Sequence, residues 1–173
     1  MAEPAFVIAE AGVNHNGSLE LALQLVDVAA DAGADAVKFQ TFKAEHLVTA
    51  GAARAEYQVT NLREQGTQLE MLRRLELSAA DHQAVAQYCG RRQVRFMSTA
   101  FDAASLAFLA GFGMPAIKIP SGDVTCAPLL LQASRLRTPL IVSTGMCTLD
   151  DVKAALGVIA FGLTRAGEPA GRL

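Results

Sequence analysis

Short apolar runs and stretches with helical spacing alternate along this chain. Phe6-Val-Ile-Ala9 is a strand-like run that breaks at Glu10 and the polar loop through Gly17. Ser18 suits a helix N-cap, and Leu21, Leu25, Val28 and Ala29 recur at helical spacing until Gly33 ends the helix. Residues 36–41 read as a second strand. Residues 42–67 form a polar connection with no steady period, of a length usually reserved for functional loops. Helical character returns at Gln68 to Leu75, and Ser78-Ala-Ala-Asp81 has the form of a capping box opening a helix to about Arg92. Val94 to Thr99, Ala116 to Pro120 and Pro139 to Ser143 read as the third, fourth and fifth strands. Between them, Asp102 caps a helix over 103–110, and Pro128 suits the first turn of a helix through Arg135. Thr148-Leu-Asp-Asp151 opens a last helix to about Phe161, and the tail from Thr164 reads as loop.

Strands alternating with helices predict an α/β fold with parallel strands and right-handed crossovers. Five units are visible, each of roughly 30 residues. Five units would serve an open doubly wound sheet, whereas a complete eight-unit barrel needs about 250 residues. The chain has 173. No Gly-x-Gly-x-x-Gly follows the first strand, which weighs against a dinucleotide site.

Composition narrows the classes. Apolar residues make up 51 % and charged residues 18 %, enough for one domain with a substantial core. A formal net charge of -2 without a basic stripe argues against nucleic acid as a partner. No apolar run approaches the roughly 20 residues of a membrane span, and no basic, apolar leader opens the chain. Cys89, Cys126 and Cys147 are odd in number and lack Cys-x-x-Cys spacing. They fit a reducing cytoplasm, as small buried or half-buried side chains rather than disulfides.

The chemistry lies in polar residues placed where a strand should be apolar. Side chains alternate along a strand, so Lys38 and Gln40 oppose Val37 and Phe39, and Lys118 opposes Ile117 and Ile119. A lysine inside a buried parallel strand is costly unless paired or solvated. Of only four lysines in the chain, two lie within strands. A lysine snorkelling from a strand end, or in a structural ion pair, is the plainer alternative. Every strand also ends in polar or small residues: Glu10, Gln40-Thr41, Ser98-Thr99, Ser121-Gly-Asp123 and Ser143-Thr-Gly145. Helix capping accounts for one or two of these. Parallel α/β folds bind ligands at the carboxyl ends of their strands, and two ammonium groups among hydroxyls and backbone amides suit a phosphate with a carboxylate.

Ile8-Ala-Glu-Ala-Gly-Val-Asn-His-Asn-Gly17, Lys38-Phe-Gln-Thr41, Ser98-Thr-Ala-Phe101, Lys118-Ile-Pro-Ser-Gly122 and Ser143-Thr-Gly-Met146 follow in order, with Glu70-Met-Leu-Arg-Arg-Leu-Glu-Leu77 between them. Together they resemble the N-terminal barrel of the N-acetylneuraminate (sialic acid) synthase family, including its legionaminic and pseudaminic acid branches. The resemblance covers about residues 6–161. It implies a (β/α)8 TIM barrel, of which residues 1–173 hold about five units, with the later strands and an antifreeze-protein-like domain beyond them. It also implies a condensation of phosphoenolpyruvate with an N-acetylated amino sugar, N-acetylmannosamine or a diacetamido analogue, giving a nine-carbon 2-keto acid and phosphate. Carried over by motif, Lys38, Gln40, Thr99, Lys118, Ser121 and Ser143 hold phosphoenolpyruvate, and Glu10, Lys38 and Lys118 are the catalytic set. A divalent metal, Mn2+ or Mg2+, is implied, with its histidine ligands on later strands and none in this chain. A homodimer in the cytoplasm is implied too.

Asn14 and His15, on the loop after the first strand, are weaker candidates for sugar contact; for His15 a loop-ordering hydrogen bond is an equal alternative. Ala100 stands where the family often has proline, and Asp123 where glutamate is common. Two other readings remain: a Schiff-base aldolase using Lys38 or Lys118, and a non-catalytic fragment that binds a phosphorylated ligand. Cys147 as a nucleophile has no paired histidine in its favour.

Overall fold

The computed structural model describes residues 4–49 and 67–165. Five strands, β1 (Ile8–Gly12), β2 (Ala36–Thr41), β3 (Arg95–Ala100), β4 (Ile117–Ile119) and β5 (Leu140–Val142), alternate with helices. The helices are α1 (Leu19–Asp31), α2 (Ala44–Leu47), α3 (Gln68–Leu75), α4 (Ala79–Arg91), α5 (Ala103–Leu109), α6 (Ala127–Arg135) and α7 (Leu149–Arg165). Their starts are chemically marked. Ser18 Oγ accepts from the Leu21 N–H (3.3 Å), Asp102 from the Ser105 N–H (2.9 Å), and Ser78 and Asp81 form a complete capping box. Thr67 and Glu70 form a second box at α3, and Thr148 Oγ1 with Asp151 repeats the pattern at α7.

All neighbouring strands are parallel, and their spatial order is β1-β2-β3-β4-β5. A doubly wound sheet reverses direction at a switch point. Here there is none: with right-handed crossovers, a strictly sequential order lays every helix on one face, as in a barrel wall. The burial agrees. The main core lies between helices and sheet and includes Val26, Val37, Phe39, Val85, Phe96, Leu106, Ile117, Ile119 and Leu130. The opposite face carries a small separate cluster of Ala36, Met97 and Ala116 with Ile8 against it, the lowest layer of a barrel interior.

Several boundaries differ from those the apolar pattern predicts. β1 begins at Ile8 and runs through Glu10 to Gly12, while Phe6 and Val7 lie exposed before it. The pattern ended the strand at Glu10, because a carboxylate breaks an apolar run; the backbone pairing nonetheless continues past it to Gly12. α2 sits in the connection expected to lack elements, residues 50–66 of that connection lie outside the described residues, and α7 extends to Arg165. Cys126 is exposed, contrary to the buried or half-buried position expected of all three cysteines, because it stands at the start of α6; Cys89 is buried in the core.

Candidate functional site

Strand register decides which side chains meet. Glu10 pairs with Lys38, Gln40 with Thr99, and Thr99 with Lys118. All five belong to the face that carries Ile8, Ala36, Met97 and Ala116; Glu10, Lys38, Thr99 and Lys118 stand two residues further along their strands, and Gln40 four. They therefore form the layer above the apolar one, at the carboxyl ends of β1 to β4. A register shift between Glu10 and Gly12 marks a bulge in β1, and Gly12 has φ +57°. A Cβ at Gly12 would crowd Glu10 Oε1 at 3.3 Å and make an ordinary contact with Gln40 Nε2 at 3.7 Å. The glycine therefore leaves room for the Glu10 carboxylate at the strand end and adopts a φ that other residues rarely do.

Lys38 is nearly enclosed, with its side chain 11 % exposed. It is ion-paired with Glu10 and donates to Thr99 Oγ1 at 3.3 Å. Among the described residues Lys118 has no ion-paired carboxylate, and it donates to the carbonyl oxygen of Ile119 at 2.8 Å. Burial lowers its pKa, the Lys38 ammonium lowers it further, and Glu10 works against both. Lys118 is thus a partly desolvated cation facing a second cation, an arrangement that an anion bridging the two would relieve.

Past β4, Ser121–Asp123 forms a short 3-10 turn. The Ser121 carbonyl accepts from Cys147 Sγ at 3.4 Å, which ties the loop after β5 to the one after β4. Ser143 is half-buried, and its N–H donates to the Ile119 carbonyl at 3.1 Å. Asp123 Oδ2 is buried without a hydrogen-bond partner, and burial raises the pKa of this carboxyl. Asn14 is exposed on the loop after β1. His15 is fully buried, its Nδ1 accepts from the Gly17 N–H at 3.0 Å, and its ring lies 6.1 Å from Phe39 on the helix side of the sheet. Of its two readings, the loop-ordering bond is the one the structure displays.

Among the described residues no group of three or more His, Cys, Asp or Glu side chains is arranged to hold a metal ion. The carboxylates of Glu10 and Asp123 do not make up a ligand set, so the divalent ion that the sequence resemblance implies does not fit these residues.

The apolar pattern did not single out His82. It occupies the buried stripe of α4 with Val85 and Cys89, and its Nε2 meets Thr41 Oγ1 at 2.9 Å on the helix side of β2. A histidine at an otherwise apolar helix position was the available signal. Nearby, the loop after β2 is pinned by Lys43 to Glu76 (3.0 Å), Arg73 to Glu45 (2.7 Å) and His46 to Asp102 (3.3 Å).

Comparison with known proteins points one way. The N,N'-diacetyllegionaminic acid synthase of Legionella pneumophila is 50 % identical over 154 residues, 89 % of this chain but 43 % of that protein. The crystal structure of an N-acetylneuraminic acid (sialic acid) synthetase from Leptospira borgpetersenii superposes with a TM-score of 0.77 at 28 % identity, covering 96 % of this chain and 52 % of that one. A phospho-2-dehydro-3-deoxyheptonate aldolase from Thermotoga maritima shares the fold alone, with a TM-score of 0.64 at 13 % identity over 95 % of this chain and 40 % of that one. Both structural neighbours are TIM-barrel enzymes, and the described residues make an incomplete barrel of that type. The chain spans about half the length of these relatives or less. Residues 25–169 match the model of the NeuB family, and the chain belongs to that family.

Proposed function

We propose that this chain supplies the phosphoenolpyruvate-binding wall of a synthase that condenses phosphoenolpyruvate with an N-acetylated amino sugar, N-acetylmannosamine or a diacetamido analogue. The observation that carries this reading is the convergence of Lys38 and Lys118 around Thr99 at one strand rim. A phosphorylated enol acid brings two anionic groups, and two fixed ammonium groups offset them where water is partly excluded. Gln40, Ser121 and Ser143 lie on or just beyond the same strand ends to share the phosphate and carboxylate oxygens.

The methylene carbon of the enol attacks the open-chain sugar aldehyde, forming the carbon–carbon bond and a cation at the enol carbon. Water adds to that carbon and gives up one proton, which the former aldehyde oxygen takes. The new hydroxyl then passes its remaining proton to the departing phosphate as the carbon–oxygen bond to phosphate breaks and the keto group forms. Glu10, more exposed than its partner Lys38, faces the open side of the rim, where a carboxylate can orient the water or a sugar hydroxyl. A homodimer in the cytoplasm is part of the same reading, in line with the resemblance to the synthases.

Titration calorimetry tests it. The chain should bind phosphoenolpyruvate more tightly than inorganic phosphate, and Lys118→Met should lose about tenfold or more in affinity, the scale of a charge-assisted contact. Equal affinity for the two ligands would refute the assignment. Phosphate release from phosphoenolpyruvate with N-acetylmannosamine then measures turnover.

One observation favours a second reading. A lysine whose pKa is lowered by burial and by a neighbouring cation is suited to Schiff-base chemistry, and Lys118 is such a lysine. Borohydride reduction in the presence of a keto acid distinguishes the two, since the condensation leaves no adduct on Lys118.

A further inference from the structure

Behind the rim lies a hydrogen-bonded chain that the condensation does not use. Ser98, Thr41 and His82 are all buried. Ser98 Oγ is 2.7 Å from Thr41 Oγ1, Thr41 Oγ1 is 2.9 Å from His82 Nε2, and His82 Nδ1 is 3.0 Å from the Ser78 carbonyl oxygen. The carbonyl can only accept, so Nδ1 donates to it; the Gln40 backbone carbonyl also favours a protonated ring, and burial, the largest influence, opposes it. In the neutral ring, which burial favours, Nε2 then accepts from the Thr41 hydroxyl, and Thr41 Oγ1 in turn accepts from the Ser98 hydroxyl. The chain runs in one direction, from β3 through β2 to the first turn of α4.

Its members sit on the reverse of the residues that line the rim. Thr41 follows Gln40 and Ser98 precedes Thr99, and successive side chains face opposite ways. In the pairing of β2 with β3, Thr41 stands opposite Ala100 and Ser98 opposite Phe39. The two hydroxyls are therefore diagonal, not directly opposed, and their bond crosses the strands obliquely at the place where β2 ends. An oblique tie resists sliding of one strand along the other, the displacement that would separate Gln40 from its register partner Thr99 and Thr99 from Lys38.

We propose that the Ser98–Thr41–His82 chain is a positioning device, which anchors the ends of β2 and β3 to α4 and so fixes the spacing of Gln40, Thr99 and Lys38 for ligand binding. Naming phosphoenolpyruvate as that ligand rests on the function proposed above; the mechanical role does not.

Two substitutions separate the hydroxyl from the volume it fills. Thr41→Val removes the hydroxyl at nearly constant shape, and Thr41→Ser retains it. Phosphoenolpyruvate is titrated into each protein by calorimetry, and nitrogen-15 spectra report the His82 ring and the Gln40 side-chain amide. Thr41→Val should weaken binding about tenfold, as small misplacements of binding groups do, and should displace the Gln40 amide signal; Thr41→Ser should restore both. A folded Thr41→Val protein with unchanged affinity and an unchanged Gln40 signal overturns the proposal, and so does a parent ring carrying its hydrogen on Nε2. Where Thr41→Val lowers the folded population, Ser98→Ala, which removes the far end of the chain, supplies the same comparison. If the parent does not bind phosphoenolpyruvate, the reaction assignment fails alone, and the Gln40 signal in the Val and Ser variants still decides the positioning role.

Discussion

Lys118 has a neighbour of its own charge and, among the described residues, no directly ion-paired carboxylate. Glu10 offsets burial and the Lys38 charge only in part, and this fixes how the site should respond to pH. Its pKa lies below the ordinary lysine value of 10.5. The ammonium is therefore lost at a lower pH than on a free lysine, and anion affinity should fall as pH rises through that lowered pKa. Calorimetric titration across alkaline pH should show the decline early, and Lys118→Arg, which keeps its charge throughout, should remove it. Gly17 makes a different kind of demand. At φ +77°, a Cβ there would stand 2.2 Å from the Arg74 carbonyl oxygen, backbone that has no side-chain freedom to yield. Gly17→Ala should cost about 2 kcal/mol or more, through strain and overlap together, read as a lowered melting temperature. Spacing along the chain places Lys38 and Lys118 inside strands, but does not say that one is ion-paired with a carboxylate and the other is not. That difference comes from register between strands 28 and more residues apart, which a linear pattern does not encode.

Elements were legible where local chemistry marks them. Ser18, Ser78, Asp102 and Thr148 each cap the helix that the pattern assigned to them. Ser78→Ala should therefore destabilise the chain by about 1 kcal/mol, measurable by denaturant titration. The strand ends were less legible: Glu10 looked like the end of β1 because a bulge and a carboxylate interrupt its alternation, although pairing with β2 continues to Gly12. His82 is illegible for the opposite reason, since a histidine in an apolar stripe reads as background until its partners on another strand are known. Burial lowers the pKa of both His82 and His15 from 6.5. The unfolded chain therefore takes up protons at a higher pH than the folded one, so stability is complete above 6.5 and falls as pH drops below it towards the folded values. Melting temperatures from pH 7.5 down to pH 5 should trace this fall, and replacing His82 with Gln should shrink it.

At the scale of the whole molecule, alternation announced an α/β chain but left barrel and doubly wound sheet both open, because each alternates in the same way. The spatial order of the strands distinguishes them, and that order depends on crossovers whose side of the sheet no apolar pattern states. Among the described residues β1 pairs only with β2, and β5 only with β4. Ile141 on β5 is 38 % exposed, and Met146 and Leu149 beyond it are more so. Exposed strand edges beside apolar surface favour association, so sedimentation velocity on the 173-residue chain should show an average mass that climbs with concentration; a monomer at every concentration would contradict this. The sequential sheet has one more consequence, for how the molecule is made. Among the described residues each strand after β1 pairs with the strand that precedes it in the chain, so none of these four pairings has to wait for a partner made later. Assembly can proceed vectorially, with the newest strand always serving as the template for the next.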